Sequence, residues 1–544
     1  MRDEQLVPHG PGRHDTLHEP ALAGDDTALR ARHADTLGGA LMPLETIAAV
    51  HVELSISAAS AVAVAGQHLA LHAANLLGRL EGVVGTMSVS VEQDMEVALH
   101  AGVDPRHPRG GASLIQAVKL AATLASPQRV RSPHERDGPR RSVRVRIGAG
   151  GDADCWVAAP GAWLAFVGRE PGPECTPDAT LPLGAHAAAA LAAGEVFRLA
   201  RAKNELADGP RSLHLSTWSW VTSDHLLSDG PGRDSILAWL NARSPDGSLP
   251  PFTLVGVGAV GCAFMLTLWA TDLPLPQAVL IDGDRISLTN LNRYVLFGRG
   301  DLGQWKARRA AALLRRAAPS SFRAQPIDRR WAEHRRVENA PVALLISAVD
   351  NNLVRHQLQD ALPRLILGAS TNGLRAQVDR YDLSDTRSRC LKCHNPPEPL
   401  ETDSAMQARL LAMDDAVLRA EAADRGVASE TLLRYVAEVR AGGTGCATVT
   451  GADLDKLRHA DGEGAFGVSF ASSLSGTLLC AQFVRELSAE GPVLTPDRSR
   501  GHFQVWRPSA AVNGPRAVGA QAGCWCREPQ VRAAYREMWP QTCD

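Results

Sequence analysis

The chain has almost no surplus of charge: 57 Lys and Arg against 59 Asp and Glu leave −2 over 544 residues. That near balance argues against nucleic acid or an anionic membrane as a principal partner, since both demand a basic surplus. No run of eighteen apolar residues occurs, and the N-terminal MRDEQLVPHGPGRHD lacks an apolar signal core, so membrane spanning and secretion are not expected. A disulfide framework is not expected either. The ten cysteines include two close pairs with metal-ligand spacing, which fits a reducing, cytoplasmic setting better. Core size is not limiting: 45% of residues are hydrophobic, and 544 residues exceed what one core supports, so two or more domains are expected.

What is present is concentrated between 254 and 306. The mostly apolar run Phe252 to Val255 is followed by Gly256, Gly258 and Gly261 in LVGVGAVGC. It reads as a buried strand entering a helix whose N-terminal amides can face phosphate. Alone, this GxGxxG pattern is shared with NAD and FAD sites and with chance glycine turns. The next apolar strand, Ala278 to Ile281, ends in Asp282, where dinucleotide folds place a ribose-binding carboxylate, with Asp284 two residues on. The balance shifts with Asn290, Asn292 and Arg293 in TNLNRY, Lys306 in GQWKARRA, and Asp350 in LLISAVDNN. Hydride transfer has no need for an arginine, a lysine and an aspartate at one end of a nucleotide, whereas a triphosphate with magnesium does. Singly, Arg293 and Lys306 read as solvated charges and Asp350 as a helix cap. Their joint order points to ATP.

Cys390 and Cys393 in RCLKCHNPPEP, with Cys524 and Cys526 in GCWCRE, form two short thiolate pairs suited to tetrahedral zinc, the alternative being free or redox-active thiols. Cys446 lies in AGGTGCATVTG, between a polar helical stretch, Ser404 to Arg440, and an apolar helix, Val468 to Leu487. Its flanking glycines allow close backbone approach and an exposed thiolate, against the plainer reading of a small buried residue. Cys262 and Cys480 sit in apolar helical patterns and read as core.

On these motifs the chain resembles the E1-like adenylating family (ThiF, MoeB and the ubiquitin-activating enzymes), strongly over about 250 to 400 and weakly on to about 490. The resemblance implies a Rossmann-like α/β adenylation fold in which Asp282 holds the ATP ribose. Asn290, Arg293 and Lys306 would bind phosphates and Asp350 magnesium. It further implies that the zinc is structural, and that Cys446 lies in a crossover segment and accepts an activated protein as a thioester. Many relatives have Gln where this chain has Tyr294.

Residues 61 to 95 repeat the order of the glycine-rich region: strand, glycine, apolar helix, turn, second strand, acid. Only Gly66 remains where the loop should be, and Gln67 and Leu69 would crowd a pyrophosphate. CWVAAPGAWLAFVGRE holds two strands, and PLGAHAAAALAAGEVFR a core helix similar to one in the inactive halves of two-part E1 enzymes. The fold is therefore read as duplicated, with a degenerate N-terminal copy, pseudo-dimeric within one chain. The expected divisions are a mobile arm at 1–26, an inactive adenylation-like domain at 27–225, and a linker at 226–249. The active ATP-binding domain follows at 250–400, a helical insert and crossover loop at 401–465, and the remainder with the C-terminal zinc pair at 466–544. Arg30 or Arg32 would serve as the arginine lent across the interface.

The expected function is an E1-like enzyme that uses ATP and Mg2+ to adenylate the C-terminus of a ubiquitin-like protein. Cys446 would take the product as a thioester and pass it to an E2-like conjugating protein, with Arg293 and Lys306 stabilising charge. The architecture is similar to two-domain bacterial E1 proteins (BilD-like) of conjugation operons linked to phage defence. No ubiquitin-fold tail for E2 binding is expected after Cys526. Three alternatives remain: a sulfur-carrier adenylyltransferase of molybdopterin or thiamine type, an NAD-dependent oxidoreductase, and a non-enzymatic scaffold.

Overall fold

A computed structural model describes residues 41–97, 113–126, 141–177, 180–202, 212–243, 250–274, 277–317, 323–396, 402–425, 427–443, 467–486, 494–505 and 513–540, with isolated positions 449, 453, 457, 488 and 491. Strands β1 (Val50–Ile56), β2 (Val84–Val91), β3 (Ser142–Ile147), β4 (Cys155–Ala158), β5 (Leu164–Gly168), β6 (Ser212–Ser216) and β7 (Thr222–Ser223) form one sheet, ordered β2-β1-β3-β4-β5-β6-β7. A second sheet contains β8 (Phe252–Val255), β9 (Gln277–Ile281), β10 (Arg323–Ile327), β11 (Leu344–Ser347), β12 (Leu365–Asn372), β13 (Arg375–Tyr381), β14 (Arg500–Gln504) and β15 (Gly514–Arg516). Its order is β10-β9-β8-β11-β12-β13-β14-β15.

The two sheets correspond strand for strand. In each, the first strand lies between the second and the next inward strand, four strands run parallel, and three antiparallel strands follow. The second sheet adds one parallel edge strand, β10. An α/β, Rossmann-like architecture is therefore present, with its parallel strands covered by helices as parallel sheets require.

Four buried helices join the sheets: α1 (Val64–Leu77), α2 (Leu183–Arg201), α3 (Ala259–Ala270) and α4 (Ser469–Arg485). α3 is apolar on nearly every face because it is enclosed on all sides. It meets α4 at Gly476, where a Cβ would stand 2.6 Å from Phe264 N and 2.8 Å from Val260 O. Across the middle, His72 Nε2 lies 2.6 Å from Ser473 Oγ, linking α1 to α4, and His186 Nδ1 lies 2.9 Å from Thr267 Oγ1, linking α2 to α3. One hydrophobic core runs from Leu41 to Val505 through both sheets. The helices Asp403–Leu411, Asp415–Arg425 and Ser429–Arg440 stand apart on a small core of their own, built on Met406, Leu418, Leu432 and Tyr435.

Two expectations are corrected. Residues 61–65 form no strand: 61–62 end the helix Ala58–Val62, Ala63 is an extended junction and 64–65 open α1, while the strand that opens the repeat is β1, eleven residues earlier in its start. Gly66, Gln67 and Leu69 accordingly lie buried within α1, away from any loop, and Gln67 Nε2 donates to Ala61 O at 2.9 Å. The expected linker, 226–249, contains a helix, Arg233–Arg243, whose Ile236 and Leu240 are buried. Asp229, just before it, accepts from Ala162 N and Trp163 N at 2.8 and 3.0 Å, which fastens this segment to the first sheet. The arm 1–26, Arg30, Arg32 and Cys446 lie outside the described residues.

Candidate nucleotide site

The expected nucleotide residues converge at the carboxyl ends of β8, β9 and β11. The strand order reverses there, because β9 lies on one side of β8 and β11 on the other, and such a switch point opens a crevice. Each glycine of the first turn has a separate physical reason. Gly256 has φ +93°, and a Cβ there would stand 2.6 Å from Ala348 O. At Gly261 a Cβ would collide with Gly256 O, so α3 could not start so close to the strand. Gly258 is the N-cap of α3, and its missing side chain faces the Tyr294 hydroxyl, 3.5 Å from an added Cβ. Bare backbone amides are thereby presented to the crevice.

Asp282 follows β9 and clasps this turn: its carboxylate accepts from Val257 N at 2.7 Å and from Asp284 N at 2.9 Å. Burial raises the Asp282 carboxyl, with Lys306 opposing the rise. Lys306 opens its own helix, is buried, and donates to Asp284 Oδ2 at 2.9 Å. Burial acts against the ammonium, but Tyr294, Asp282 and Asp284 outweigh it and hold Lys306 well above the ordinary lysine range. Asp284 is 52% exposed. Its partial burial works upward on the carboxyl, yet the Lys306 charge and hydrogen bond hold it low. The site thus contains a fixed cation whose present partner, Asp284, remains open to solvent.

Tyr294 is the member that sequence reasoning left without a role. Its buried ring lies beside two cations, 5.3 Å from Lys306 Nζ and 5.2 Å from Arg293 Cζ. Burial raises its hydroxyl, against both cations, while Asp282 and Asp350 add to the rise. Arg293 Nη1 donates to Thr289 O and Asn292 Oδ1, both at 2.8 Å. Asn290 Oδ1 accepts from Ser287 N at 3.0 Å, which fixes the turn before Arg293. Asp350 is exposed beyond the end of β11, and Asn351 beside it caps the following helix through Val354 N at 3.1 Å. The cap is thus made by Asn351, and Asp350 itself is exposed.

The corresponding turn of the first sheet is built differently. Glu92 follows β2 as Asp282 follows β9, and it accepts from Ala58 N at 3.0 Å as Asp282 does from Val257 N. Ser57 stands where Gly256 does and Ala59 where Gly258 does, with Ser60 next in the chain. Both hydroxyls donate to Glu174 Oε2, at 2.6 and 2.8 Å, so a carboxylate from the chain itself fills the turn. Gly148, at φ +91°, is needed opposite, where a Cβ would strike Glu174 and both serines.

The four metal-ligand cysteines also come together. Their sulfurs lie within 4.8 Å of one another, with Cys390–Cys393 at 3.8 Å, Cys390–Cys524 at 3.7 Å and Cys393–Cys526 at 3.6 Å. Sulfurs about 2.3 Å from a central zinc define a tetrahedron with edges of about 3.8 Å, so the set fits that ion. The cluster holds the C-terminal helix Pro529–Met538 against Leu362 and Leu383 through Val531 and Tyr535. Cys262 and Cys480 are fully buried core residues, with thiols pushed up by burial.

Residues 251–489 match the ThiF family. This region accordingly carries an α/β, Rossmann-like fold of the ThiF type. An uncharacterized protein, y4jF, of Sinorhizobium fredii (strain NBRC 101917 / NGR234), is 26% identical over 407 residues, covering 69% of this chain and 73% of its own length. Among solved structures, E. coli MccB with MccA-N7isoASN is 14% identical with a TM-score of 0.36, over 54% of this chain and 70% of that one. E. coli MccB with ATP is also 14% identical, with a TM-score of 0.34, over 54% and 69%. Among the described residues, no helix is long and apolar enough to cross a membrane.

Proposed function

We propose that the chain adenylates the C-terminal carboxylate of a peptide or small protein, in the manner of the sulfur-carrier adenylyltransferases. The observation that carries this reading is the convergence of Lys306, Arg293 and Asp350 around Tyr294 at the mouth of the glycine turn. A carboxylate is a poor electrophile, and attack on the α-phosphate of ATP converts it to a mixed anhydride. One carboxylate oxygen forms the new bond to the α-phosphorus, the bond to the bridging oxygen breaks, and pyrophosphate leaves. The charge developing on that leaving group needs preorganised cations. Lys306 supplies one by exchanging Asp284 for phosphate, and Arg293 supplies the second. Asp282 accepts from the ribose while keeping the glycine turn in place. Asp350 would hold magnesium, which when bound neutralises charge on the departing phosphates.

The cysteine cluster would hold structural zinc. In the same reading, residues 27–225 form a degenerate copy of the adenylation fold: strand order, directions and the Glu92 clasp support it, and Glu174 would leave that copy without nucleotide. Relay through Cys446 to an E2-like protein, for conjugation of a ubiquitin-like protein in phage defence, would extend the same adenylation chemistry. The proposed nucleophile lies outside the described residues, so adenylation alone rests on the site.

The test is pyrophosphate–ATP exchange with Mg-ATP and the peptides or ubiquitin-fold proteins encoded beside the gene, with mass spectrometry of the acyl-adenylate. Exchange that depends on a free C-terminal carboxylate is expected. Binding of NAD in preference to Mg-ATP would contradict the reading.

A further inference from the structure

The segment that carries Arg293 and Tyr294 has little structure of its own. It leaves a single 3-10 turn at Leu288–Asn290 and runs on as tight turns to Phe297. What grips it comes from the first half of the chain. Arg79, just past α1, is 1% exposed, and its guanidinium donates to Leu291 O at 2.6 Å and Phe297 O at 2.8 Å, with a longer contact to Val295 O at 3.4 Å. Asn75, one turn earlier on α1, orients that guanidinium by accepting from Nε at 2.7 Å, and donates to Val295 O at 3.0 Å. The bonds fall on Leu291 before the Asn292-Arg293-Tyr294 stretch and on Val295 and Phe297 after it. The chain then remains tied to the first half, because Arg299 donates to Leu124 O and Ala125 O at 3.1 and 3.0 Å.

We infer that Arg79 is a positioning residue for the phosphate-binding side chains, so that the N-terminal half governs triphosphate recognition without touching nucleotide. Fixing backbone on both sides of three residues sets the direction in which Arg293 projects and the plane of the Tyr294 ring beside the cations. A planar fork holds separate carbonyls with donors spread over different nitrogens, whereas a lysine ammonium presents its three donors from one point. The turn around Gly256 and Asp282 is held by its own strands and does not depend on this grip. The inference rests on the adenylation reading.

Calorimetric binding of Mg-ATP and of adenosine to the full chain tests it, with wild type, Arg79→Lys, Arg79→Met and Asn75→Ala. Folding is checked by circular dichroism and thermal melting. Arg79→Met is expected to weaken Mg-ATP by about tenfold or more, as loss of charged hydrogen bonds would. Adenosine binding should stay within about twofold. Arg79→Lys should restore part of the Mg-ATP affinity, and Asn75→Ala should show a smaller loss with the same selectivity. If Arg79→Met does not fold, Asn75→Ala decides. Equal loss of both ligands, or no loss in a folded variant, overturns the inference while leaving adenylation intact. Wild type that binds no Mg-ATP overturns both.

Discussion

Two turns, at the ends of β1 and β8, occupy the same place in corresponding sheets and differ in what fills them. Each is clasped by a carboxylate that follows the neighbouring strand, Glu92 in one and Asp282 in the other, accepting a backbone N–H. Around β8 the turn is glycine, open and faced by Lys306 and Tyr294. Around β1 it is serine and alanine, closed by Glu174. Clasp and strand order are common to both turns, whereas bare amides with cations beside them stand at the second, where nucleotide binding is proposed. An anion would be repelled by Glu174 at the first turn and drawn in at the second.

The sharpest break between the turns is expected from charge. Lys306→Ala should reduce pyrophosphate exchange by roughly 10²–10³-fold, the usual cost of losing one preorganised donor at a developing anion. Asp350→Ala should do at least as much. Glu92→Ala in the first turn should leave exchange unchanged, and a comparable loss there would mean that the first turn takes part. Next comes the metal. Cys390→Ser should lower zinc content, read by elemental analysis as about one ion per chain in wild type, and should cost at least about 2 kcal/mol in denaturant unfolding. Full stability in metal-free protein would remove the site.

Gly258→Val sharpens the glycine difference. A Cβ there meets only the Tyr294 hydroxyl at ordinary contact distance, so the protein should fold, with nucleotide affinity reduced about tenfold by bulk in the phosphate approach. A smaller effect concerns the junction of the halves. Burial, together with His72 and His68, holds His186 well below the ordinary histidine range. The unfolded chain then binds the proton more readily, so the contribution of His186 is complete above about pH 6.5 and falls as pH drops below it. Thermal melts should show this slope and His186→Asn should flatten it. Cys446→Ala should leave pyrophosphate exchange unchanged. Its second readout, loss of a reductant-sensitive adduct with a ubiquitin-like partner, separates conjugation from adenylation alone.

The parts of the second turn are short and linear in the sequence: the glycines, Asp282 and Asp350 follow strands, Lys306 opens a helix, and Arg293 follows a 3-10 turn. The first was harder to read. β1 is VHVELSI, whose His51, Glu53 and Ser55 take the half-buried face, so it lacks a continuous apolar run, while the alanine-rich residues 61–65 fit strand and helix alike. Without glycine at 57–60, nothing local marked the loop. The helix at Arg233–Arg243 was missed because only Ile236 and Leu240 on it are deeply buried. Arg79 could not be found from sequence, since the segment it grips lies more than 200 residues away and is held through backbone carbonyls, which leave no residue-type signature. Tyr294 carried no role in the resemblance, yet its ring lies within cation–π distance of both cations.

Nucleotide stoichiometry tests the central contrast most directly. Titration of the full chain with Mg-ATP should give one nucleotide per chain, abolished by Asp282→Ala with Lys306→Ala and unaffected by Glu92→Ala. Two nucleotides per chain, or loss of binding on Glu92→Ala, would contradict the account.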